Sequence, residues 1–117
     1  HSYRLWVTVR GEVKKERGHK KDGMVIDFNV LKSIVKPNII DKYDHSLVLN
    51  KNSPHSEIDL SAFEKVFYLE YQPTSENLVF DFATIIKAAL PKEIELYKVI
   101  LSETATSFAE WNYKETI

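Results

Sequence analysis

Tyr3-Arg4-Leu5-Trp6-Val7-Thr8-Val9-Arg10-Gly11-Glu12-Val13 opens the chain with a strict alternation. Tyr3, Leu5, Val7 and Val9 fall on one side of an extended backbone, and Arg4, Trp6, Thr8 and Arg10 on the other. Successive side chains of a strand leave opposite faces, so a period of two predicts a half-buried antiparallel strand. The loop 14–22 ends in Asp22-Gly23, a strong turn pair, and Met24-Val25-Ile26 resumes an extended apolar run. A β-hairpin is the economical reading. The basic run Lys14-Lys15-Glu16-Arg17-Gly18-His19-Lys20-Lys21 then reads as its solvated loop rather than a binding patch.

Beyond the hairpin the period changes. Asp27 stands as a helix N-cap before Phe28, Leu31, Ile34 and Val35, which share one helical face. Pro37 interrupts the pattern, and Ile39, Ile40 and Tyr43 continue it. An interior proline costs about 3 kcal/mol, so a kink or short break is expected there. Leu47-Val48-Leu49 is a short extended piece, Asn50-Lys51-Asn52-Ser53-Pro54 a turn cluster, and Val66-Phe67-Tyr68-Leu69-Glu70-Tyr71 a further short strand. Pro73-Thr74-Ser75-Glu76 opens a second helix with Thr74 or Ser75 as cap. Its buried stripe is Leu78, Phe82, Ile85, Ile86 and Ala89, and Pro91 stops it. Strands are expected over 95–103 and 108–113.

Two hairpins flanking two helices predict an α+β fold, an antiparallel sheet covered by both helices on one face. With 117 residues, the chain is one domain spanning 1–117. Trp6, Tyr97 and Trp111 are expected on the other sheet face, where their size asks for a partner copy to cover them.

Composition excludes several classes. Sixteen Lys and Arg against 17 Asp and Glu leave a net charge of −1, no electrostatic footprint for nucleic acid or an anionic membrane. No apolar run approaches the roughly 20 residues of a membrane helix. There is no cysteine, hence no disulfide, thiolate ligand or thiol nucleophile within these residues, which agrees with a reducing, cytoplasmic setting. The chain begins at His1 rather than Met, and residues upstream of it are expected.

Asp44-His45, at the exit of the first helix, is the chemically suggestive pair. A carboxylate can orient an imidazole or share its proton transfers, and histidine titrates near neutral pH. A histidine favoured by the helix dipole beside a solvated Asp is the plainer alternative. His19 and His55 lie in polar loops and read as surface residues.

His1-Ser2-Tyr3 looks like the end of a His-Gly-His-Asn/Ser-Tyr/Phe motif. Val7-Thr8-Val9-Arg10-Gly11-Glu12, Gly23-Met24-Val25-Ile26-Asp27-Phe28, Asp44-His45, Pro73-Thr74-Ser75-Glu76-Asn77 and Glu103-Thr104 follow in order across nearly the whole chain. In these motifs the chain resembles the 6-pyruvoyltetrahydropterin synthase / 6-carboxytetrahydropterin synthase family of the tunnelling (T-fold) class. The resemblance implies ββααββ units assembled into barrels, usually homohexamers, with active sites between subunits. It implies a Zn-dependent lyase acting on 7,8-dihydroneopterin triphosphate. The Gly-Met-Val-Ile-Asp-Phe and Pro-Thr-Ser-Glu-Asn motifs favour the bacterial carboxy branch, which releases acetaldehyde and triphosphate and feeds queuosine and other deazapurines. The pyruvoyl branch is the alternative.

Carried over residue by residue, the resemblance makes His1 the last of three zinc histidines, with the other two and a catalytic cysteine upstream. It makes Asp44 and His45 the acid–base pair; Tyr43, where the family more often has Leu, is a departure. Glu103 becomes the carboxylate that anchors the pterin, because the ring's N3–H and 2-amino group form a planar donor pair that one carboxylate accepts at once. Thr74, Ser75 and Glu76 become pterin contacts, with Glu76 alternatively a capping-box residue. Segment 51–72 reads as a lengthened loop at the barrel rim. An aldolase-like or cyclohydrolase-like pterin enzyme on the same fold, and a non-catalytic pterin-binding relative, are the other readings; the order of Asp-His and Glu-Thr speaks against the first.

Overall fold

The computed structural model describes residues 3–13, 25–43, 46–50, 65–104 and 106–114. The alternating stretch forms β1 (Arg4–Arg10). Its hydrogen-bonded neighbour is β4 (Glu95–Ser102), antiparallel, with Arg4 opposite Ser102 and Val7 opposite Val99. β5 (Phe108–Asn112) pairs antiparallel with the other edge of β4, giving the order β1-β4-β5. Leu5, Val7 and Val9 face the core beside Leu96, Val99, Leu101, Ala109 and Trp111, as the alternation predicts for β1. The register shifts between Thr8 and Val9: Thr8 pairs with Lys98 and Val9 with Leu96, leaving Tyr97 as the extra residue of a bulge. The bulge is why Leu96 and Val99, three apart rather than two, are both buried.

This geometry corrects two sequence expectations. Trp111 is not on the open face; it follows Ala109 by two residues and packs against the core beneath the helices. The open face carries Trp6, as expected, and, toward the sheet edge, Phe108 in place of Trp111, 48% and 61% exposed. Tyr97 sits at the bulge under the guanidinium of Arg10, 5.0 Å from the ring centroid. The expected return strand is also not seen at 25–26, where the chain bends; Met24 lies outside the described residues. The chain does return to the end of β1. A Cβ on Gly11 would stand 3.2 Å from Val25 Cγ1 and 3.1 Å from the Glu93 carbonyl oxygen, so glycine permits this close approach.

The first helix starts where expected: Asp27 accepts a 2.8 Å bond from the Asn29 N–H and caps α1 (Phe28–Val35). The break expected at Pro37 takes the form of a π-helical turn, Lys36–Ile40, followed by a last turn, α2 (Asp41–Tyr43). Proline offers no N–H and crowds the preceding turn, and a widened turn accommodates both. The Asp41 N–H bonds to the Lys36 carbonyl, and Asn38 Nδ2 donates to the Ile34 carbonyl at 2.7 Å. Val35, Ile39 and Tyr43 carry the packing of this helix against the core. Phe28, expected on the buried face, belongs to the opposite end and is 84% exposed.

The second helix, α3 (Ser75–Ala89), buries Leu78, Val79, Phe82, Ala83 and Ile86. The stripe is wider than expected, taking in Val79 and Ala83 but leaving Ala89 exposed, because α3 packs on α1 as well as on β4 and β5. Its last bond runs from the Leu90 N–H to the Ile86 carbonyl, and Pro91 follows. The two helices on one face of an antiparallel sheet make the domain α+β, as expected.

The extended pieces expected near 47–49 and 66–71 are β2 (Ser46–Asn50) and β3 (Lys65–Leu69). They pair with each other in parallel, Ser46 opposite Lys65 through Asn50 opposite Leu69, as a separate two-stranded sheet. Apolar runs this short carry no signal of strand direction, and this pairing was not legible in them.

Candidate functional site

Three elements meet at the C-terminal end of β4. Arg4 pairs with Ser102, so continuing the antiparallel register sets Tyr3 across from Glu103, the first residue beyond the strand. The turn that follows is built around Thr104. Its hydroxyl oxygen accepts from the N–H groups of Thr106 (3.3 Å) and Ser107 (3.0 Å), and its carbonyl accepts from the Ser102 hydroxyl at 2.6 Å. The N–H groups of Glu103 and Thr104 both donate to the Ser107 carbonyl. Short polar side chains that bond their own backbone are what such turns require. Glu103 is thereby fixed at its backbone.

The N-terminus of α3 supplies the opposite side. Thr74 is the cap, accepting from the Asn77 N–H at 3.2 Å, and Asn77 Nδ2 reaches back to the Gln72 carbonyl at 3.0 Å. Ser75 is the first helical residue, and its hydroxyl lies 3.4 Å from Glu103 Oε2. Two motifs far apart in sequence are therefore brought together by the fold. With Thr74 as cap, the third helical position is Asn77, so Glu76 is not a capping-box partner. Glu76 is exposed in the first turn, where a carboxylate is favoured by the helix dipole. The Tyr3 hydroxyl keeps its proton above the ordinary tyrosine range, first through burial and then through the charge of Glu103.

The approach to α3 is tied down by Tyr71, whose hydroxyl donates to Asp81 Oδ2 at 2.9 Å. Burial, this bond and the Asp81 charge, in that order, hold the Tyr71 proton far above its usual range. Tyr71 therefore stays a donor throughout the neutral region. This pair was not picked out from the sequence, and Tyr3 was quoted only as the last residue of the His1-Ser2-Tyr3 motif, with no role at the site. Tyr3 reads there as one more core-facing strand residue, and no spacing links 71 to 81.

Among the residues expected to act, Thr74, Ser75, Glu76 and Glu103 are placed as above. His1, Asp44 and His45 lie outside the described residues, as do His19 and His55 and most of segment 51–72. Tyr43, immediately before Asp44, is placed: its ring centroid lies 5.3 Å from Phe67 on β3 and 5.3 Å from Phe82 on α3. Among the described residues no three His, Cys, Asp or Glu side chains converge, and no histidine occurs. Those residues alone do not make a zinc site. No helix among them is long and apolar enough to cross a membrane.

An α+β domain with a carboxylate and a hydroxyl juxtaposed across two motifs fits a small-molecule enzyme family, and comparison identifies it. The family model described as 6-pyruvoyl tetrahydropterin synthase matches residues 1–114, and the chain belongs to that family. More particularly, the chain is similar to the 6-carboxy-5,6,7,8-tetrahydropterin synthase of Aquifex aeolicus (strain VF5), with 38% identity over 125 residues, 98% of this chain and 72% of that protein. Proteins of the same name from Rickettsia bellii (strain RML369-C) and Haemophilus influenzae (strain ATCC 51907 / DSM 11121 / KW20 / Rd) are each 31% identical; they cover 94% and 95% of this chain, and the chain covers 79% of each of them.

Proposed function

We propose that this chain is the T-fold domain of a 6-carboxytetrahydropterin synthase, a carbon–carbon lyase. It converts 7,8-dihydroneopterin triphosphate to 6-carboxy-5,6,7,8-tetrahydropterin with release of acetaldehyde and triphosphate, for queuosine and deazapurine synthesis in the cytoplasm. The observation that carries the proposal is the meeting of Ser75 with Glu103. It forms a corner in which one carboxylate can accept the paired N–H donors of a pterin beside the Ser75 hydroxyl. The name shared by the Aquifex, Rickettsia and Haemophilus relatives supports the carboxy branch.

In this reading Glu103 fixes the ring plane through a bidentate, charge-assisted pair of bonds, which sets the side chain of the substrate at a defined distance. Asp44 and His45 move protons on that side chain. Zinc, implied by the family, would polarise the side-chain oxygens when bound. His1 is the candidate ligand in this chain, and one imidazole does not hold the ion, so no step here is routed through it. The family's thiol matches no position among these residues. A homo-oligomer, hexameric by family resemblance, would cover Trp6 and Phe108 on the open sheet face.

The test is to supply the zinc-loaded full-length protein, upstream residues included, with dihydroneopterin triphosphate and analyse the products. Acetaldehyde with triphosphate supports the proposal. Triphosphate with a 6-pyruvoyl product identifies the pyruvoyl branch, the reading favoured by the description of the family model itself. Pterin binding without either product identifies a non-catalytic relative.

A further inference from the structure

Tyr3 departs from the pattern of its own strand. Leu5, Val7 and Val9, which share its side in the alternation, pack against the core, and Tyr3 does not join them. It keeps 48% of its surface exposed at the point where the core ends. Across the sheet the last core row is Leu5 with Leu101, and the register continued outward makes Tyr3 with Glu103 the next row on that face. The helix α3 lies over β4 and β5, and its first residue, Ser75, meets Glu103 from that side. Tyr3 borders the same residue from β1. Side chains directly opposite on one face of an antiparallel pair stand about 4.5–5.5 Å apart at Cβ. A ring held by both oxygens of Glu103 lies in the plane of the carboxylate. Offset-stacked aromatic rings keep their centroids about 4.5–7 Å apart, a spacing that this cross-strand row supplies.

We infer that Tyr3 is a substrate-binding residue whose ring stacks on the face of the pterin that Glu103 holds by its edge. This inference rests on the pterin-anchoring role proposed for Glu103. The two contacts divide the recognition. The carboxylate reads the paired N–H donors, and the phenol ring buries one face of the flat heterocycle and fixes its tilt. Burial and the charge of Glu103 keep the Tyr3 hydroxyl protonated, so the stacking ring stays uncharged beside the carboxylate.

The probe is pterin itself, titrated into the full-length protein, upstream residues included, with quenching of its fluorescence as the readout. Tyr3→Ala is expected to weaken binding about 10- to 100-fold, the scale of losing one base–aromatic stack. Tyr3→Phe keeps affinity within about twofold, and Tyr3→Leu, apolar but without a π-face, loses at least about fivefold. A second readout needs no variant to bind: the ring-proton NMR signals of Tyr3, assigned by their loss in Tyr3→Phe, move upfield when the wild-type protein is saturated with pterin. Those of Tyr97 and Tyr113, beside Arg10 at the other end of the sheet, stay in place. Should Tyr3→Leu fail to fold, Tyr3→Ile and the NMR comparison carry the test. Equal affinity in Tyr3→Phe and Tyr3→Leu marks a residue that only completes the strand, and overturns the inference, as do unmoved Tyr3 signals at saturation. If pterin binds the wild type and Glu103→Ala alike, the anchoring role of Glu103 falls and the inference falls with it.

Discussion

The Ser75 hydroxyl lies 3.4 Å from Glu103 Oε2, across 28 residues of chain. At that length the contact is weak. It leaves Glu103 most of its capacity to accept other donors, which is what a pterin would need. Glu103→Ala is therefore expected to abolish pterin binding, and Glu103→Gln to weaken it at least about tenfold, since an amide replaces one acceptor by a donor. Ser75→Ala changes affinity by no more than about threefold. Quenching of pterin fluorescence on titration measures all three, and wild-type affinity in Glu103→Ala would end the assignment.

His45→Ala separates binding from chemistry. Turnover is expected to fall at least about 100-fold, in the range for removing a general acid–base group, with pterin affinity nearly unchanged. Equal and mild effects from His45→Ala and Glu103→Ala would mean that the two roles are wrongly assigned.

Legibility of this fold followed the range of the interactions involved. The alternation of Leu5, Val7 and Val9, the Asp27 and Thr74 caps and the Pro37 break are local signals, and each appears in the structure. The partner of β1 is a pairing with β4 across most of the chain, and the parallel alignment of β2 with β3 is of the same long-range kind. No local pattern encodes either. The bulge at Tyr97 shows the same limit on a smaller scale, because one inserted residue shifts which positions face inward. In the site, Ser75 and Glu103 were recognisable through their motifs. Tyr3 was quoted in a motif, but its proximity to Glu103 was not legible, since it follows from the β1–β4 register.

The cap at Thr74 supports both the helix and the site. Thr74→Ala is expected to cost about 1 kcal/mol of stability, and Thr74→Ser to recover most of it. Denaturant unfolding gives both values. Through Ser75 alone the substitution is expected to change pterin affinity by no more than about threefold, the bound set by Ser75→Ala.

Arg10 bonds Glu95 at 2.7 Å and lies over the rings of Tyr97 and Tyr113. The bond from Arg10, then one from Tyr113, holds the Glu95 carboxyl below the ordinary carboxylate range. Because the folded state binds this proton less readily than the unfolded chain, the contribution is complete above the unfolded value. It is lost as pH falls through that value toward the folded one. Melting temperatures followed between about pH 6 and pH 3 should decline less steeply in Glu95→Gln than in the wild type. A steeper decline in the variant would reverse the assigned sign.

Zinc titrated into the 117-residue chain is expected to bind weakly and below one equivalent, because a lone His1 cannot complete a coordination sphere. Equilibrium dialysis with metal analysis measures it, and a tight stoichiometric site would require ligands other than those assigned here.

The π-helical turn at Lys36–Ile40 has a consequence for how this segment can change its length. Each residue of an α-helix advances the chain by about 100°. Shortening the turn by one residue would give a regular helix and leave Tyr43 within about 20° of its present phase, because seven steps of about 100° nearly complete two turns. The turn at Pro37 therefore stores one residue more than a regular helix needs, so a one-residue deletion between Val35 and Tyr43 should be tolerated better than a one-residue insertion.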